Sequence, residues 1–245
     1  MAEKITNKTN EPIKKMGKES ASKLQGELLG LKRYGISEDI IRRIRENDLK
    51  NDKESINGIL LIAVVDGKLN LIEDLIRKGA DVNTKTDVGL TALHCAALNG
   101  PIESVKLLVE NGAVVNARGK DGKTPLHEAA RNRHTDIVKY LIENGAEINA
   151  KNDCCETALH NSIGPTSVEL VKLLIENGAG INAADHKGFT ALHIATHHGF
   201  ADIAKLLIDH GADIDIKDRY SRKPIDFASG EVKVLLIEEM EKKKE

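Results

Sequence analysis

The stretch that decides the fold reads Asp121-Gly122-Lys123-Thr124-Pro125-Leu126-His127-Glu128-Ala129-Ala130. Thr124 is an N-cap candidate, and Pro125 falls at the first helical position, where its missing N–H costs nothing. A short helix is predicted after it, with Leu126, Ala129 and Ala130 on one face. A second helix over residues 137–142 carries the larger apolar groups, and Gly145 supplies a left-handed C-cap. The following residues, 146–155, are polar and turn-rich, with too little apolar content for a helix. Two short helices and a polar loop cannot bury their apolar faces alone, so the unit must stack on neighbours.

The neighbours are visible in the chain. Thr124 and His127 recur as Thr91 and His94, Thr157 and His160, and Thr190 and His193, at a step of 33 residues. Gly145 belongs to a series with Gly79, Gly112, Gly178 and Gly211 at the same step. Asn116, Asn149 and Asn182 form a third series, with Asp215 in the next place. Three independent markers locked to one period define a repeat protein.

Composition agrees. Three Phe, three Tyr and no Trp in 245 residues are too few rings for most β-sandwiches or barrels. The core must come from small contacts among Leu, Ile, Val and Ala, which favours thin helical layers. A net charge of −2 gives no overall bias toward nucleic acid. The longest apolar run, residues 59–65, is far short of the roughly 18 needed to cross a bilayer and is predicted to be a buried helix. The N-terminal residues carry no apolar signal core. Three cysteines make no disulfide framework, Cys154 and Cys155 being adjacent and Cys95 lying in an apolar helical pattern, so a reducing, cytoplasmic location is expected.

The Thr-Pro-Leu-His pattern and its 33-residue period resemble the ankyrin repeat. The resemblance covers about residues 54–240 and implies an all-α solenoid of about six repeats: 54–86, 87–119, 120–152, 153–185, 186–218 and 219–240. Each would be a β-turn finger followed by an antiparallel helix pair, with fingers and first helices lining a concave binding side. The repeat histidines would hydrogen-bond neighbouring loops and helix starts. The first unit lacks the cap and the histidine, having Gly58 and Leu61 in those places. The last has Lys223-Pro224-Ile225-Asp226 instead of the motif, and its second helix, residues 232–240, comes about four residues early. Both are read as capping units with one polar face. Residues 1–20 are read as a disordered polar segment and 241–245 as a charged tail. Residues 21–53 are predicted to be a helical extension, with helices around Leu24–Leu31 and Ser37–Arg45, that either caps the first repeat or docks a partner. The Lys, Asn and Ile richness also resembles proteins of AT-rich bacterial genomes, among them host-associated bacteria that deliver ankyrin proteins without a signal peptide.

Phosphate loops, paired catalytic carboxylates and nucleophile elbows are absent from the sequence, so no enzyme and no cofactor are expected. His193 and His197 have the spacing of zinc ligands on one helix face, with His198 following, but no Glu lies between them as in the zinc-protease motif. Cys155 sits where the finger usually has Gly, so a strained or rearranged turn is expected there. A redox or metal role for Cys154, Cys155, His197 and His198 is the weakest of three functional readings, because no fixed base accompanies the thiols.

The leading reading is a monomeric, non-catalytic protein-interaction module with an adaptor, scaffold, inhibitor or effector role. On the repeat frame its partner-binding positions are Lys120, Asp121, Lys123, Arg131 and Asn132, then Glu156, then His186, Lys187, Phe189, His197 and His198, and finally Arg219, Tyr220 and Arg222. Phe189 and Tyr220 are predicted to be exposed rings beside basic groups, the usual composition of a hot spot. The local basic character toward the C-terminus predicts a protein partner with an acidic, partly apolar surface. Binding of RNA or DNA through the same basic patch and the Lys-rich N-terminus is the alternative, against which the near-neutral charge counts. No contact with a membrane is expected.

Overall fold

The structure, a computed structural model, describes residues 53–243, so both predicted N-terminal helices and the polar segment before them lie outside the described residues. The described chain divides into two compact units, one ending at Val114 and the other beginning at Val115. Among the described residues it is all-α, apart from short 3-10 turns and one isolated bridge between Lys85 and Thr91.

In the first unit, α1 (Lys53–Val65) and α2 (Leu69–Arg77) pair, as do α3 (Ala92–Asn99) and α4 (Ile102–Glu110). Helix α1 packs on α3 and α2 on α4. The apolar run 59–65 is a buried helix, as its sequence predicts, with Ile59 through Val64 all in the core.

The second unit repeats the arrangement with α5 (Pro125–Arg131), α6 (Thr135–Glu143), α7 (Ala158–Ser162), α8 (Val168–Glu176), α9 (Ala191–His198) and α10 (Ala201–Asp209). It ends in a 3-10 turn, Pro224–Phe227, and α11 (Gly230–Lys242). One layer runs α5, α7, α9 and the 3-10 turn, the other α6, α8, α10 and α11, and successive members of each layer pack together. The first layer is made of small residues: Ala129, Ala130, Ala158, Ala191 and Ala195 are fully buried or nearly so. The second layer brings Ile137, Leu141, Leu170, Leu174, Ile203 and Leu207. Few aromatic residues are needed because each layer is only one helix thick.

Each Thr in the series 91, 124, 157 and 190 caps a helix through a reciprocal box with its histidine. The glycines at 79, 112, 145, 178 and 211 all have φ between 85° and 90° with open space around the missing Cβ, so backbone conformation alone selects glycine there. Helix α7 is shorter than its counterparts, because Gly164-Pro165 follows it and the residue before a proline is driven out of the helical region.

Candidate functional site

The fingers of the second unit are hairpins, each closed at its base by a backbone bond: Gly119 N to Lys123 O, Asn152 N to Glu156 O, Asp185 N to Phe189 O and Asp218 N to Arg222 O. In three of them a side chain holds the turn from inside. The Oδ1 of Asn152 accepts from Cys154 N and Glu156 N, that of Asp185 from Lys187 N and Phe189 N, and that of Asp218 from Tyr220 N and Arg222 N, all within 2.7–2.9 Å. Successive fingers are tied by Asp153 N to Asp121 O, His186 N to Cys154 O and Arg219 N to Lys187 O, at 2.9–3.0 Å. The fingers therefore form a continuous, backbone-bonded rim rather than separate loops.

The repeat histidines fasten that rim to the helices. In His127, His160 and His193, Nδ1 accepts from the N–H of its own Thr, at 3.1 Å in each. The opposite nitrogen, Nε2, reaches the carbonyl of the next finger: Glu156 at 3.0 Å, Phe189 at 3.0 Å and Arg222 at 3.4 Å. A carbonyl only accepts, so Nε2 carries the proton and the ring is neutral. Burial pushes all three imidazoles below the ordinary histidine range, despite the opposing pull of the carbonyls they hold. The Asn series does a second job of the same kind. Asn116 Nδ2 donates to Gly145 O while its Oδ1 accepts from Glu147 N, and Asn149 and Asn182 repeat this one unit further on.

At the C-terminal end of the rim the rings gather. Phe189 lies 5.4 Å from His193 and 5.2 Å from Phe227, centroid to centroid. His197 meets Phe227 edge-on at 5.7 Å and His198 at 5.0 Å, and His198 stacks on Phe200 at 5.6 Å. The Arg222 guanidinium covers Phe227 at 4.5 Å and Tyr220 at 5.0 Å. It is locked by a charge-assisted bond from Nε to Asp218 Oδ2 at 2.8 Å, with Nη2 in ion-pair contact with the same oxygen at 2.8 Å. Burial would raise the Asp218 carboxyl, but the Arg222 N–H and guanidinium and the Tyr220 N–H outweigh it and hold it below its usual range. Gly188 makes room for this finger: a Cβ there would lie 2.9 Å from Asp218 Cα.

The positions predicted to bind a partner fall into two groups. Lys120, Asp121, Arg131, Lys187, His197, His198, Arg219, Tyr220 and Arg222 are exposed, whereas Lys123, Asn132, Glu156, His186 and Phe189 are half-buried. Phe189 is thus a correction to the expectation of an exposed ring. It bridges His193 and Phe227 at the edge of the core, while Tyr220 is 74 % exposed. Asn132 and Glu156 also have local duties: Asn132 Nδ2 donates to Glu128 O, and Glu156 Oε2 accepts from Asn152 and Asn161. Burial would raise the Glu156 carboxyl, yet those two amides, with His160 and Lys123 nearby, bring it below the usual range. The C-terminal patch is less basic than its residue types imply, because Arg222 pairs with Asp218 and Lys223 with Asp215. Lys187 and Arg219 make no ion pair among the described residues.

Cys155 has the left-handed φ of 60° expected of a residue in a glycine place. Among the described residues, no group of three or more His, Cys, Asp or Glu is arranged to hold a metal ion, and no helix is long and apolar enough to cross a membrane. The sequence reading missed Asp218 and its counterparts Asn152 and Asp185, although their spacing of 33 was there to be seen. Phe227 is half-buried under Arg222. No sequence signal pointed to that contact.

No curated protein matches the chain. The family described as ankyrin repeats (3 copies) matches twice, over residues 60–152 and 150–218, which together take in every Thr–His box and finger described above except the terminal finger. With that match, the chain belongs to the ankyrin repeat family.

Proposed function

We propose that the chain is a non-catalytic interaction module whose finger and first-helix face, from Lys120 to Phe227, binds another protein. Ankyrin repeats generally mediate binding to other proteins. The observation that carries the location is the exposed Tyr220 ring lying on a guanidinium that Asp218 locks in place. A large amphipathic side chain held in one conformation loses little entropy when a partner covers it. Lys187 and Arg219 add cations beside it, so an acidic, partly apolar segment fits this end best, and such pairs add specificity and encounter rate more than affinity. An adaptor, scaffold, inhibitor or effector role is compatible with this surface.

Tyr220→Ala is expected to weaken a captured partner by at least about tenfold while leaving the melting temperature unchanged. Phe189→Ala is the poorer probe, because it removes a half-buried ring that packs on two others. Undiminished binding by Tyr220→Ala would place the interface elsewhere. A steep log-salt dependence of binding to nonspecific nucleic acid would favour the nucleic-acid reading instead.

A further inference from the structure

Glu128 stands out among the acidic side chains of the second unit. It lies in α5, where Pro125 through Ala130 are all buried, and only 8 % of its own surface is exposed. Among the described residues its carboxylate has no hydrogen bond and no ion pair; Arg131, one turn further on, is exposed and does not bridge back to it. Its oxygens nevertheless keep contact with the outside, since they are not among the fully enclosed unpartnered atoms. One unit on, at the same position in the packed helix α7, stands Asn161. Its Nδ2 donates to the Glu156 carboxylate, which orients the amide, and its Oδ1 is buried with no donor. Two acceptor groups on packed helices thus lack a donor among the described residues.

A side chain that served the repeat would recur. This position instead reads Cys95, Glu128, Asn161 and Ile194 through the four units, so the carboxylate belongs to one unit alone. A nearly buried carboxylate without a partner is destabilising, and a cation brought to it would form a desolvated, strong pair.

We propose that Glu128, with Asn161 on the neighbouring helix, is the seat for a basic side chain of the partner. This rests on the reading that the finger and first-helix face binds protein, and it gives the bound segment a direction: its cation toward α5 and its acidic, apolar part toward Tyr220. Three steps of packed helices separate the two ends, roughly 24–30 Å. An extended segment covers that distance in about eight residues.

The full-length chain titrated with N-acetyl-arginine methylamide tests the seat by amide NMR. Saturable shifts of the Glu128 backbone and Asn161 side-chain amides are expected, absent with the N-acetyl-norleucine analogue. Glu128→Gln should weaken the titration at least tenfold while raising the melting temperature, because an isosteric neutral group removes the uncompensated charge. Equal shifts with the norleucine analogue would overturn the seat, as would a Glu128→Gln protein that melts lower and binds arginine as before. The titration needs no natural partner, so its failure is distinct from failure of the Tyr220→Ala test, which reports on the other end of the face.

Discussion

An internal unit and the terminal unit of the same stack solve the same local problem with different residues. In the internal unit around α7, Thr157 and His160 cap the helix, and the imidazole's second nitrogen holds the next finger at Phe189 O. In the terminal unit, Lys223 N donates to Asp226 Oδ2 at 2.7 Å, so the cap is kept but the histidine is gone. The Asn series ends in the same way. Asn182 needs both a donor and an acceptor because it bridges Gly211 O and Asp213 N, whereas Asp215 accepts from Lys223 and Lys243. Those two lysines hold the Asp215 carboxyl below its ordinary range. The change of residue follows the change of partners, and Tyr220 and Arg222 lie on the finger that follows Asp215.

The comparison breaks most decisively through the caps. His160→Ala removes an N-cap partner and the tie to the next finger together and should cost about 3 kcal/mol in urea unfolding. Asp226→Ala loses only the cap and should cost about 1 kcal/mol. Equal costs would mean that the finger tie contributes nothing. Acid should discriminate next. His127, His160 and His193 titrate below the unfolded value near 6.5, so the unfolded chain takes up protons first and stability falls as pH drops from that value through the folded ones. Thermal melts between pH 7.5 and 5 should show this loss, and His160→Ala should show less of it. A melting temperature that does not move over this range would remove the neutral-imidazole account. The smallest effect belongs to the fingers. Cys155→Gly should stabilise by about 0.5–1 kcal/mol by relieving a left-handed non-glycine residue. Gly188→Ala, at the equivalent place one unit on, should destabilise instead, because its Cβ meets the Asp218 backbone.

How much of this was legible follows from what a period can carry. The Thr–His boxes, the left-handed glycines and the polar fingers recur in every internal unit, and each is a local device that depends on residues three or four apart. The shortened α7 was also readable in retrospect from Gly164-Pro165, as were Asn152, Asp185 and Asp218 from their step of 33. Phe189 was misread because the frame gives a position and not a neighbour. Its exposure depends on Phe227, 38 residues later, in a unit whose spacing departs from the period. The weakened basic patch has the same origin, since pairing of Arg222 with Asp218 and of Lys223 with Asp215 depends on where the last finger folds back.

The sequence by itself determined the repeat, its period, the caps and the turns, because these rest on local hydrogen bonds and backbone conformations that a few adjacent residues dictate. Only the tertiary structure decided which rings are covered, which cations are already paired and that Glu128 is nearly buried with no partner among the described residues. Those properties depend on what the neighbouring unit presents, and a repeat motif fixes the place of a side chain without fixing its company.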